Sequence, residues 1–186
     1  PLVVTRQPAD AAMTDAIALG LSAPARWSWR RLALQMPREA LLYFDEFPQL
    51  AQVQGLLPGS ARRAVRDLLA GLRKCRATAR AFGSYGWQAL SGLDHLRQKS
   101  DFDLWIGVDD ATHADAVTRL LQSFAATSPR LDGEIMFSDG TAVAWREWAD
   151  WRCGLTRAVM TRSLSGVALR HDAAWCESTH LAAVAA

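Results

Sequence analysis

Cysteine is scarce in this chain. Cys75, Cys153 and Cys176 are the only three, an odd number, and no Cys-x-x-Cys pair occurs. A disulfide scaffold and a zinc knuckle are both disfavoured, and a reducing, cytoplasmic setting is expected. The four histidines, His95, His113, His171 and His180, are scattered, with no His-Glu-x-x-His spacing, so each is read as structural or superficial. No run of about 18 uncharged apolar residues is present, which removes a transmembrane helix, and no secretory leader is read at the start. The chain begins at Pro1 rather than at a methionine. Gly-x-x-x-x-Gly-Lys-Ser/Thr, Gly-x-Gly-x-x-Gly and Gly-x-Ser-x-Gly are all missing. Phosphate-loop, dinucleotide-binding and α/β-hydrolase readings lose their sequence support with them. Repeats and low-complexity linkers are lacking too.

What is present has the balance of a globular protein. Of 186 residues, half are apolar and 22% charged, enough for one large domain or two small ones. The formal charge of +2 is too small to imply nucleic acid. Its distribution says more: Arg62, Arg63, Arg66, Arg73, Lys74, Arg76 and Arg80 face a single acid, Asp67, between residues 60 and 80. Such a segment is either a solvated helix face or a surface for a polyanion or an acidic protein.

Periodicity sets out the elements. Residues 2–5 read as a short strand, 13–22 as a short helix or loop, and 27–36 as a strand ending before Pro37. Residues 38–44 fit helix or strand. Ser60 is a plausible N-cap for an amphipathic helix over 60–74, where Val65, Leu68, Leu69 and Leu72 recur at helical spacing and Arg62, Arg66 and Arg73 form a neighbouring stripe. Strand, helix and strand follow at 78–82, 85–93 and 101–108, then a helix at 112–126. Strands at 131–137 and 141–146 flank an Asp139-Gly140 hairpin turn. Residues 147–186 are hard to read, and the alanine-rich end, Leu181–Ala186, is expected to fray. The expected fold is α+β: a mixed sheet with flanking helices over 77–186, plus a smaller N-terminal α/β domain over 1–76.

The chemistry concentrates in one stretch. Ala81-Phe82-Gly83-Ser84 ends a strand and opens a helix, and Asp101-Phe102-Asp103 follows sixteen residues later. Glycine permits a tight turn and close backbone approach. Ser84 at a helix start offers a hydroxyl beside free N–H groups, a phosphate cradle. On a strand, residues two apart share a face, so Asp101 and Asp103 project together and raise each other's proton affinity. A divalent cation relieves that repulsion, and Mg²⁺ (or Mn²⁺) favours a pair of carboxylates completed by substrate phosphates. A third acid is expected from Leu131-Asp132-Gly133-Glu134-Ile135, as Asp132 or Glu134. Tyr85 and Trp87 read as core or as a wall for a base. Arg97, Lys99 and Arg146 are candidate phosphate contacts.

The pattern Gly83-Ser84, Asp101-x-Asp103, Glu134 resembles the nucleotidyltransferase superfamily. A closer resemblance is to the malonate decarboxylase holo-acyl-carrier-protein synthase family, the phosphoribosyl-dephospho-CoA transferases. It rests on Phe82 to Leu93, Ser100-Asp101-Phe102-Asp103-Leu104, Arg130 to Glu134 and Ala142 to Glu147, with Pro1 to Val4 and Arg31 to Leu34 in keeping. The resemblance implies transfer of a phosphoribosyl-dephospho-CoA unit from its triphosphate precursor, triphosphoribosyl-dephospho-CoA, to a serine of the acyl carrier protein subunit of malonate decarboxylase, with loss of pyrophosphate. Asp101, Asp103 and Glu134 would be the catalytic acids, with the metal on Asp101 and Asp103. Gly83, Ser84, Arg97, Lys99 and Arg146 would hold the donor, and Arg62, Arg66 and Arg73 would meet the carrier. A basic residue is expected near Val159, where this chain has Met160, with Arg157 and Arg162 alongside. Two other readings stay open: a nucleotidyltransferase acting on RNA or a small molecule, and a non-catalytic binding module of the same fold. Pyrophosphate release separates the enzymes from the module.

Overall fold

The computed structural model describes residues 1–8 and 15–176. The first strands form a small antiparallel sheet in the order β1 (Val3–Val4), β2 (Ala16–Ser22), β3 (Arg31–Pro37). The sequence suggests a short helix or loop over 13–22, a span that includes residues 16–22. They are instead the central strand, paired on both sides, with Val3 opposite Gly20 and Leu19 opposite Leu34. Ladder hydrogen bonds on two edges override the weak strand propensity of an alanine- and glycine-containing run. Ile17 and Leu19 are buried, whereas β3 is largely exposed. Short 3-10 turns at Ala25–Trp27 and Arg38–Ala40 complete this part. It therefore holds strands and turns, and no α-helix among its described residues.

The larger sheet runs β4 (Ala79–Ala81), β5 (Phe102–Val108), β6 (Leu131–Phe137), β7 (Ala142–Ala144), β8 (Val159–Arg162), β9 (Val167–Arg170). All neighbouring pairs are antiparallel except β5 and β6, which run parallel. A parallel pair needs a crossover, supplied here by the helix Ala111–Gln122. Five α-helices are described: α1 (Leu50–Val53), α2 (Arg62–Lys74), α3 (Gly83–Ser91), α4 (Ala111–Gln122) and α5 (Trp145–Arg152). The content is mixed α+β, as expected.

Strict alternation explains the layering. On β5, Phe102, Leu104, Ile106 and Val108 are buried; on β6, Leu131, Ile135 and Phe137 are. They share one core with Val65, Leu68 and Leu72 of α2, Ala114, Val117 and Leu121 of α4, and Trp148 of α5. Each fully buried side chain of this size contributes about 1.5–3 kcal/mol. The alternate residues, Asp103, Trp105, Asp132 and Glu134, are half-buried on the opposite face.

Several boundaries differ from expectation. Ser60 does not cap α2: the capping position is Ala61 without a side-chain bond, and a turn in which the Ala61 N–H donates to the Pro58 carbonyl at 3.0 Å leads in. A division near residue 76 would cut through packed structure. The apolar stripe of α2 lies in the main core, and Gly71 lies so close to Leu120 that a Cβ there would strike its side chain. The strand expected over 141–146 ends at Ala144, because Trp145, Trp148 and Ala149 are all buried at helical spacing and α5 starts there. Leu181–Ala186 lies outside the described residues.

Candidate active site

Gly83 is placed by geometry no other residue tolerates well. It starts α3 with φ +59°, and a Cβ built on it would collide with the Asp103 carboxylate. The Phe82 N–H donates to the Asp103 carbonyl at 3.1 Å, which locks the helix start to β5. The first N–H groups of a helix lack intrahelical partners, so Gly83 and half-buried Ser84 offer donors beside an acid. Tyr85 and Trp87 point into the core instead: Tyr85 packs edge-on against Phe102 with centroids 5.0 Å apart, and Trp87 lies between Phe47 and His95.

The acids gather because β5 and β6 start level. Phe102 is opposite Leu131 and Asp103 opposite Asp132; Glu134 comes two pairs later on the same face, opposite Trp105. Gly133, at φ +131°, lets β6 lie close on β5: a Cβ there would strike the Leu104 backbone. Burial pushes the Asp103 carboxyl from the usual 3.8 up to about 6, and the negative charges of Asp101, Asp132 and Glu134 add to this against relief from Arg130. Asp101 moves the other way. A hydrogen bond from Arg130 holds it below the carboxylate range; burial opposes that, and the charges of Arg130 and Arg146 assist.

Arginines are threaded through this acid group. Arg130 Nε and Nη2 donate to the two Asp101 oxygens at 3.1 and 2.6 Å, and Nη2 also lies 2.8 Å from Asp132 Oδ2. Arg162 Nη1 donates to Glu134 Oε1 at 3.0 Å, with its Nη2 3.9 Å from Glu147. Arg146 Nη2 donates to the Leu131 carbonyl at 2.8 Å, and its guanidinium lies 4.1 Å over the Trp145 ring. Among the described residues, no three His, Cys, Asp or Glu side chains form a ready metal cluster. Arg130 stands between Asp101 and Asp132 where such a cluster would close.

Two consecutive parts of the chain match models of one protein family: the phosphoribosyl-dephospho-CoA transferase MdcG N-terminal domain over residues 1–47 and its C-terminal domain over 49–173. The chain belongs to the phosphoribosyl-dephospho-CoA transferase family. It is thus an enzyme of the transferase class. Similar proteins bearing that name come from Xanthomonas campestris pv. campestris, 33% identical over 150 residues, from Bradyrhizobium diazoefficiens, 34% over 133, and from Pseudomonas aeruginosa, 35% over 156. These stretches span 80%, 70% and 82% of this chain and 70%, 58% and 70% of the respective relatives. No solved structure matches the chain. The family models meet between residues 47 and 49, where the small sheet gives way to α1, rather than near residue 76.

Of the residues singled out in the sequence, the fold brings together Gly83, Ser84, Asp101, Asp103, Glu134 and Arg146. Arg97 is turned elsewhere, 4.3 Å over the ring of Trp29 in the turn between β2 and β3, and Lys99 is exposed in the loop. Arg62, Arg66 and Arg73 are exposed on α2, away from the core stripe. The sequence gives Arg130 no role and offers Arg162 only beside Met160; in the fold both arginines grip the acids. No helix among the described residues is long and apolar enough to cross a membrane.

Proposed function

We propose that the enzyme transfers 2′-(5″-phosphoribosyl)-3′-dephospho-CoA from its triphosphate precursor to a serine hydroxyl of the malonate decarboxylase acyl carrier protein, in the cytoplasm. One observation supports this above the others: Asp101, Asp103 and Asp132 stand at the level starts of two parallel strands, with the helix start at Gly83 against Asp103. Free N–H groups beside clustered carboxylates suit a phosphoanhydride bridged to acids by a cation.

The residues divide the work. Gly83 and Ser84 hold the outer phosphates through helix-start N–H groups and the hydroxyl. Asp101 and Asp103 would hold Mg²⁺, or Mn²⁺ in its place. The donor set fits, because Asp101 and Asp103 lie at one strand end with Asp132 opposite Asp103, and the charges of Asp101, Asp132 and Glu134 add to burial in raising the Asp103 carboxyl. When bound, the cation neutralises the triphosphate and stabilises charge on the departing pyrophosphate. Glu134, oriented by Arg162, accepts the serine proton as the serine oxygen bonds to the innermost phosphorus. The bond from that phosphorus to the bridging oxygen breaks, pyrophosphate leaves, and a phosphodiester remains on the carrier. Exposed Arg62, Arg66 and Arg73 meet the acidic helix that presents the serine.

The test incubates the enzyme with donor and apo carrier protein, reading intact carrier mass and released pyrophosphate together. A mass gain equal to the transferred group, lost when the carrier serine is alanine, is the expected result. Pyrophosphate release onto RNA or a small alcohol, with no gain on the carrier, would favour a nucleotidyltransferase of other specificity. No release with any acceptor would favour a binding module.

A further inference from the structure

Beside the acid group is a cavity that the proposed transfer chemistry leaves unassigned. It has a volume of about 550 Å³ and lies between the C-terminal end of α4, the loop leading to β6 and the first turns of α5. That volume is in the range of small-molecule sites. Its wall is two-natured. Phe124 and Ala126 supply apolar surface, Arg130 and Arg146 supply two guanidiniums, and Asp150 supplies one carboxylate, which leaves the lining one positive charge in excess. The Trp145 indole N–H is a buried donor without a partner among the described residues.

The cavity is joined to the acids through those arginines. Arg130 lines it and also bridges Asp101 and Asp132. Arg146 lines it and is near enough for its charge to act on Asp101. Arg146 directs one Nη2 bond to the Leu131 carbonyl, which leaves further N–H groups on a fork that matches phosphate oxygens. The proposed donor is long and anionic at two places, with a triphosphate at one end and a diphosphate beyond its adenosine. Carboxylates at Asp101, Asp103 and Asp132 repel any anion, so a second anionic segment needs cations of its own.

We propose that this cavity takes the adenosine 5′-diphosphate segment of the donor, the base against Phe124 and the diphosphate between Arg130 and Arg146. The assignment rests on the reading of the donor as a triphosphoribosyl derivative of dephospho-CoA. It makes the site bipartite: the triphosphate at Gly83 and the paired acids, the nucleotide past Arg130.

Dephospho-CoA itself, which lacks the triphosphoribosyl arm, separates the two halves. Its binding to the full chain is measured by calorimetry without divalent cation, beside binding of inorganic tripolyphosphate with Mn²⁺. Thr127→Trp and Gln122→Trp place bulk in the cavity from exposed positions on its wall, and thermal melts confirm that each variant folds. Both variants lose dephospho-CoA affinity by about tenfold or more, and Arg146→Gln does the same by removing a charge-assisted bond. Tripolyphosphate binding is unchanged in the two tryptophan variants. Wild-type affinity for dephospho-CoA in both tryptophan variants, or no binding to the wild type, overturns the cavity assignment. Carrier modification that persists in that case keeps the transfer reading intact. Dephospho-CoA binding that is lost in the variants, in an enzyme that never modifies the carrier, upholds the cavity and sinks the transfer reading instead. A variant that loses carrier affinity but keeps dephospho-CoA assigns the cavity to the protein partner and also overturns the proposal.

Discussion

Asp103→Asn should make the protein more stable while ending catalysis. The Asp103 carboxyl is raised from 3.8 to about 6 by burial and by Asp101, Asp132 and Glu134. A shift of that size corresponds to on the order of 3 kcal/mol, and to about 1.5 kcal/mol once the solvent still reaching the half-buried group is allowed for. The sign follows from proton linkage. Between the unfolded value and about 6 the native state binds more protons than the unfolded state, so stability falls as pH rises through that window. Asparagine mimics the protonated acid and removes this dependence. Urea unfolding should therefore give equal stability for variant and wild type near pH 4. Near pH 7.5 the variant should be ahead by about 1.5 kcal/mol, or about 3–6 °C in Tm. Among the described residues, Asp103 has no side-chain hydrogen-bond partner whose loss would offset the gain. Divalent cation should raise the wild-type Tm and leave the variant unmoved. A variant no more stable than wild type at pH 7.5 would refute the electrostatic account of the site.

Gly83→Ala should cost about 1–2 kcal/mol of stability from its left-handed backbone and more in donor affinity, because its Cβ meets Asp103; denaturant curves and calorimetry read both, and Ser84→Ala should weaken donor binding without the stability loss. Glu134→Gln should slow single-turnover transfer by about 10²–10⁴ with donor affinity nearly unchanged, whereas a normal rate would shift the proton acceptor to Asp132. Arg130→Met should raise Mn²⁺ affinity in the absence of donor, read by electron paramagnetic resonance, since it frees Asp101 and Asp132; unchanged affinity would mean the guanidinium does not compete with the cation. Changing Arg62, Arg66 and Arg73 together to glutamate should raise KM for the carrier, most at low salt, and spare donor affinity; loss of donor binding would give the stripe to the triphosphate.

Elements with a strong period were legible in the sequence. The helix at Arg62–Lys74 and the strands Phe102–Val108 and Leu131–Phe137 each bury one regular stripe, and that stripe is visible as spacing. Strand Ala16–Ser22 was not, because its state is decided by two partner strands rather than by its own small residues. At Trp145 two patterns compete: Ala142 to Trp145 continues a strand, while Trp145, Trp148 and Ala149 open a helix. Burial of the last three decides it. Strands Val159–Arg162 and Val167–Arg170 stand at one end of the sheet, and the outer one is exposed throughout, so alternation carries little signal there.

The candidate site divides along the same line. Gly83, Ser84, Asp101 and Asp103 are legible because their placement is local: one turn, and one strand face. Arg130 and Arg162 act on acids 29 and 28 residues away. Only the parallel pairing of Phe102 with Leu131 shows that Arg130 and Asp101 are equivalent positions, each one residue ahead of its strand. That equivalence has an electrostatic consequence. Asp101, Asp103, Asp132 and Glu134 bring four carboxylates to one sheet face, and Arg130, Arg146 and Arg162 bring three guanidiniums among them. The face is close to neutral as a whole, yet Asp103 holds its proton up to about 6, first because it is buried and then because Asp101, Asp132 and Glu134 face it with relief from Arg130, so its ionised form is incompletely compensated. An anionic donor arriving alone would meet that uncompensated charge, whereas a donor arriving with a divalent cation would neutralise it. Donor affinity should consequently rise with cation concentration in the wild type and lose that dependence in Asp103→Asn, because the charge that demands the cation is then gone.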